Sequence, residues 1–136
     1  MDRDLMYDEC ETAGEIGMIG IALALFAKSI CPGVFKKKSR TWIHDPCNFV
    51  AFQVRPAKRK LVLTLSGTYG RFSRVAAAAS LSEDWSRNFA EARFPDYCAY
   101  EITNPSQLLL AVLLIKAALD NYKQHGRHRA SASAAN

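Results

Sequence analysis

Apolar and polar positions alternate along this chain with two different periods, and the change of period marks out the elements. Over residues 12–30, Ile16, Ile19, Leu23, Phe26 and Ala27 recur at helical spacing, and Met18, Ala22 and Leu25 widen the stripe. Thr12 followed by Glu15 has the spacing of a capping box, which predicts where this helix starts, and Pro32-Gly33 ends it. Gly17 and Gly20 lie inside it at a cost in helix propensity, a cost that a close backbone approach would justify. The pattern then switches to period two. In Phe49–Arg55, Val50, Phe52 and Val54 stand against Phe49, Ala51, Gln53 and Arg55; further on, Leu61, Leu63 and Leu65 alternate with Val62 and Thr64. Both segments read as half-buried strands, joined by the hairpin loop Pro56-Ala57-Lys58-Arg59-Lys60.

Arg40–His44 predicts a further short strand and Asp45-Pro46 a turn. Val34–Lys38 reads as an edge strand or a loop, because consecutive lysines suit an edge. Residues 66–96 carry the weakest signal. Gly67 and Gly70 suggest a turn, an alanine run follows, and a helix is predicted within Ser82–Ala92, capped by Ser82. Tyr97–Ile102 returns to strand character. Asn104 or Ser106 then caps a strong helix over 105–124, with the stripe Leu108, Ala111, Val112, Ile115, Ala118, Leu119 and Tyr122. Leu109, Leu110, Leu113 and Leu114 are apolar too. That surplus predicts either burial on more than one face or a homodimer contact through helix 105–124.

Strands joined by short turns pair antiparallel, and two apolar helices must cover the apolar face of their sheet. The predicted fold class is therefore α+β: a two-layer sandwich with an antiparallel sheet of four or five strands, covered on one face by an N-terminal and a C-terminal helix. Residues 1–124 form the single domain, and 125–136 are a polar tail that is either disordered or a continuation of the last helix. The predicted core includes Phe52, Val54, Leu63, Val112, Ile115 and Leu119.

Composition adds little to the fold but much to the charge layout. With 136 residues, 49% of them apolar and 23% charged, the chain has the profile of an ordinary globular domain. Its formal net charge of +5 is unevenly spread: residues 1–15 hold six acids and one base, and residues 28–74 hold eleven bases and one acid. Such a basic middle third suits a polyanion, or is compensated by the acidic N-terminal segment. The longest apolar run, Ile16–Ala27, is too short to span a bilayer, so no membrane association is expected. The acidic start lacks the basic region of a secretory signal, and cytoplasmic residence with reduced thiols is the expectation.

Several motifs bear on chemistry. His44-Asp45-x-Cys47 gathers three reactive types in four residues, and a Cys–His nucleophile would need these side chains to converge. The competing reading is a turn capped by Asp45, with Cys47 as a small buried apolar residue. Cys10, Cys31, Cys47 and Cys98 form no C-x-x-C pair, and no histidine spacing completes a zinc site, so no metal is predicted. Gly67-x-x-Gly70 lacks the Lys-Ser/Thr of a phosphate loop and the third glycine of a dinucleotide fold, and reads as a turn. No motif calls for a cofactor or marks an enzyme.

The basic residues remain. Lys36, Lys37, Lys38, Arg40, Lys58, Arg59, Lys60, Arg71 and Arg74 are the candidate anion-binding set, and nucleic acid is the first ligand they suggest. Trp42, Phe49, Phe52, Tyr69 and Phe72 are interleaved with them, as stacking platforms would be. A second possibility is a small-molecule pocket between sheet and helices with Trp42, Tyr97 and Tyr100 as aromatic walls.

The stretches "RTWIHDPCNFVAFQVRPAKRKLVLTLSG" and "YEITNPSQLLLAVLLIKAALDNY" resemble an uncharacterised bacterial family labelled "predicted transport protein", found alone or appended to restriction-type nucleases. A short aromatic strand, an "NF"-type strand, a basic turn, an L-x-L-x-L strand and a closing helix are shared in pattern. The resemblance implies the same α+β layout over about Ile21–Tyr122, and it carries no catalytic signature.

Overall fold

Turn chemistry and period-two patterning build a sheet that is larger than expected. A computed structural model describes residues 5–78, 88–92 and 96–135. Its helices are α1 (Leu5–Glu11), α2 (Gly14–Ile30), α3 (Tyr69–Ala78) and α4 (Leu108–Ala135); its strands are β1 (Val34–Lys38), β2 (Thr41–Asp45), β3 (Val50–Arg55), β4 (Lys60–Ser66), β5 (Phe89–Glu91) and β6 (Tyr97–Ile102). The strands form one sheet in the order β1-β2-β3-β4-β6-β5, antiparallel at every pairing. The α+β class and the antiparallel sheet between terminal helices are as predicted, with six strands in place of four or five.

Strand parity fixes the two faces. Phe35, Trp42, His44, Phe52, Val54, Leu61, Leu63, Leu65, Cys98, Tyr100 and Ile102 all point toward the helix layer and are buried. On the opposite face Ile43, Gln53, Val62, Thr64 and Ala99 are only half-buried. β4, at the centre, packs against both α2 and α4. The predicted core residues Phe52, Val54, Leu63, Ile115 and Leu119 are buried. Val112 is half-buried instead, because α4 turns Ala111, Leu114, Ile115 and Ala118 toward the sheet and leaves Val112 on its flank.

The helix ends differ from expectation in instructive ways. Thr12 does not open α2; its Oγ1 donates to the Glu9 carbonyl at 2.8 Å and closes α1 instead. The residue before α2 is Ala13, with no side-chain cap. Gly17 has the close approach its position called for, since a Cβ there would sit 1.7 Å from the Cys10 carbonyl oxygen. Before α4, Asn104 caps a short 3-10 turn, Pro105–Gln107, in a reciprocal box with Gln107. α4 then runs on to Ala135, which makes the polar tail helical rather than disordered.

Within 66–96, Gly67 turns the chain with φ +146, but Gly70 belongs to α3, so the stretch read as a turn is half helix. The helix expected within Ser82–Ala92 is not found at Phe89–Glu91, which are strand β5; residues 82–87 lie outside the described residues.

Candidate nucleic-acid interface

Antiparallel pairing decides where the basic residues go. Lys38 pairs with Thr41 to close the β1–β2 turn, and Arg55 pairs with Lys60 to close the β3–β4 turn. Because β1 and β3 run in the same direction, both turns lie at one end of the sheet, about 10 Å apart at two strand spacings. Arg40 sits in the first turn and is exposed; Lys58 and Arg59 form the tip of the second and are exposed. Arg59 takes the left-handed conformation (φ 51) that reverses the chain after Pro56–Lys58. Lys38, Arg40, Arg55, Lys58 and Arg59 make no ion pair among the described residues.

The other candidates do not join this group. Lys36 pairs with Asp45 at 3.2 Å. Lys37, one residue on and therefore on the helix side, meets Glu9 of α1 at 3.4 Å and lies over the Trp42 ring. Glu9 also accepts from the Trp42 indole N–H. Through Glu9 the acidic N-terminal segment thus answers the basic sheet on its covered face. Lys60 pairs with Glu101, which offsets the unfavourable juxtaposition of Arg55 and Lys60 directly across the hairpin. Arg71 donates to Gln124 Oε1 at 3.1 Å. Both Arg71 and Arg74 are on α3, which follows β4 and so lies at the far end of the sheet.

Arg55 was absent from the predicted set. Its signal was available in the hairpin register, which sets it on the open face with Gln53 and opposite Lys60. It lines a shallow cavity of about 310 Å³ on that face, together with Gln53, Lys60, Val62, Asn88 and Glu101. Arg59 and Pro56 line another, of about 540 Å³, together with Glu15 at the start of α2.

The aromatic residues among the bases are structural. Trp42, Phe49, Phe52 and Phe72 are buried, and the exposed Tyr69 is on α3, away from the basic turns. Trp42 and Tyr100, expected as pocket walls, are packed into the core. Burial pushes the Tyr100 hydroxyl up, against a hydrogen bond from Gln107. Tyr97 is half-exposed and donates to the Asn48 carbonyl at 3.0 Å.

His44 is buried, and its two ring nitrogens lie 2.8 Å from the Cys47 and Cys31 carbonyl oxygens. Its rings of contact are Phe35 and Phe49. The imidazole is engaged with backbone, so it acts as a clamp on two loops rather than as a base directed at the Cys47 sulfur. Among the described residues no group of three or more His, Cys, Asp or Glu is placed to hold a metal ion, and no helix is long and apolar enough to cross a membrane.

These features define an α+β sandwich whose sheet ends in two basic turns. No family model, curated protein or solved structure matches the chain.

Proposed function

We propose that the protein is a non-enzymatic binding module, cytoplasmic, that grips the phosphate backbone of nucleic acid with the hairpin end of its sheet. The observation that carries this is the placement of Lys38, Arg40, Arg55, Lys58 and Arg59 on two neighbouring turns, with no ion pair among the described residues. Cations left without protein partners are those free to neutralise phosphates and release counterions. The absence of aromatic side chains from these turns favours backbone contacts over stacked bases, and hence duplex over single strand. Resemblance to the bacterial family adds an expected layout but no ligand.

Fluorescence anisotropy with a labelled duplex tests the proposal. Affinity should fall steeply with salt, and Lys58→Ala/Arg59→Ala should weaken binding for all sequences alike. It should also flatten the slope of log K against log salt by about 1.8, at roughly 0.9 for each phosphate contact. Arg74→Ala, at the far end, should change neither. Salt-independent binding, or a double variant that binds like the parent, would overturn the proposal.

We also propose a homodimer through α4, supported by Leu109, which is 71% exposed on the outer side of that helix.

A further inference from the structure

The far end of the sheet holds a second constellation, unrelated to the basic turns. Cys31 follows α2 and Cys47 follows β2, and one imidazole, that of His44, holds the backbone carbonyls of both at 2.8 Å. A single ring, with one nitrogen 2.8 Å from each carbonyl, therefore bridges the backbones of these two cysteines. Both are half-exposed, whereas Cys10 and Cys98 are buried. Cys98 is further occupied, donating to the Gly67 carbonyl at 3.3 Å. Burial pushes the Cys31 thiol up, as does its hydrogen bond with the Cys47 thiol, while Lys123 pulls it down. The two thiols are thus half-exposed and near enough to act on each other, with the Lys123 charge also felt at Cys31.

We propose that Cys31 and Cys47 are a dithiol site that takes a small-molecule disulfide as its oxidant and closes to an intramolecular disulfide. One thiolate attacks a sulfur of the small disulfide, forming a mixed disulfide and expelling one thiolate. The second cysteine, as thiolate, attacks the protein sulfur of that mixed bond, forming the Cys31–Cys47 bond and expelling the other thiolate. Two protein thiols are oxidised by two electrons, the small disulfide is reduced to two thiols, and the protons lost by the cysteines end on those thiols. The new bond would tie the end of α2 to the β2–β3 connection and remove freedom from the unfolded chain. The His44 clamp supplies the preorganisation: it already holds the two loops together in the reduced protein.

The test uses the full chain with oxidised glutathione as the probe, followed by acid quench, alkylation and peptide mapping. Expected is the loss of two alkylatable thiols per chain, a peptide pair joined through Cys31 and Cys47, and full reversal by dithiothreitol. In Cys31→Ser or Cys47→Ser the joined peptide should vanish, and the remaining cysteine should stop at a stable glutathione adduct. A wild-type chain that stops at the glutathione adduct, that links through Cys10 or Cys98, that links only between chains, or that loses no thiol would overturn the assignment. The wild-type measurement stands alone if a variant fails to fold.

Discussion

Leu63 and Val62 are neighbours in β4 with opposite fates, and truncating each in turn tests the register of the whole sheet. Leu63 is fully buried, pairs laterally with Phe52 and Tyr100, and lies on the strand that α2 and α4 both cover. Leu63→Ala removes three carbons from that site. At about 0.8 kcal/mol per buried methylene the transfer loss is roughly 2.4 kcal/mol. A cavity term adds to it, because a site walled by a ring on each side collapses poorly; the total expected is about 3–4 kcal/mol, within the observed span for buried leucines. For a chain of this length, with an unfolding entropy of about 2.1 cal/mol/K per residue, that lowers Tm by roughly 10–14 °C. Val62 lies half-buried on the open face, and Val62→Ala should cost less than about 1 kcal/mol. Urea unfolding followed by circular dichroism reads both. Equal losses, or a larger loss at Val62, would place the strand one residue out of register and refute the assignment of faces.

Gly17→Ala sets two effects against each other: helix propensity would gain about 1 kcal/mol, but the new Cβ would lie 1.7 Å from the Cys10 carbonyl. The clash should win, with a net loss of at least about 1 kcal/mol in urea unfolding; a more stable variant would show that α1 does not pack there. Burial pushes the Cys10 thiol, first by desolvation and then by the Glu9 charge, from 9.0 up to about 11. The folded state thus holds this proton more tightly than the unfolded chain, so the associated stability is complete below about pH 9 and is lost as pH rises toward 11. Urea midpoints measured across that range should fall less steeply in Cys10→Ala than in the parent; parallel curves would remove Cys10 as a cause. Sedimentation equilibrium at micromolar concentration should show a dimer that Leu109→Lys dissociates, and a parent sedimenting as a 15.1 kDa monomer rejects the dimer.

The readable parts of the fold were those whose pattern is long enough to repeat. β3 and β4 alternate over six and seven residues, and α2 and α4 carry apolar stripes over several turns. β5 has three residues, too few to show a period. α1 has seven, three of them acidic, with only Met6 and Cys10 buried, so its stripe amounts to a single contact row. α3 is obscured by glycine: Gly67 turns the chain just before it, whereas Gly70 lies in the first turn of the helix. Thr12 failed as a cap because two helices meet there, and a threonine between them can serve either. Its hydroxyl went back to Glu9.

Charge was legible as a count and illegible as a surface. The three consecutive lysines of β1 look alike in sequence, yet strand parity must divide them: Phe35 is buried under the helices, so Lys37 shares its face and Lys36 and Lys38 take the other. That much follows from alternation. Which of them is neutralised does not, because the answering carboxylates come from far along the chain, Glu9 to Lys37 and Glu101 to Lys60 across 28 and 41 residues. The turns escape this neutralisation for a geometric reason. Arg40, Lys58 and Arg59 project beyond the last ladder pairs of their hairpins, and α1 turns its Glu9 to the covered face. A basic loop closing a hairpin therefore stays basic in the folded protein, whereas a basic strand is open to pairing. This is why the anion-binding reading contracts from the strands to Lys38, Arg40, Arg55, Lys58 and Arg59, and why substitutions at the turns, not in the middle of the sheet, decide it.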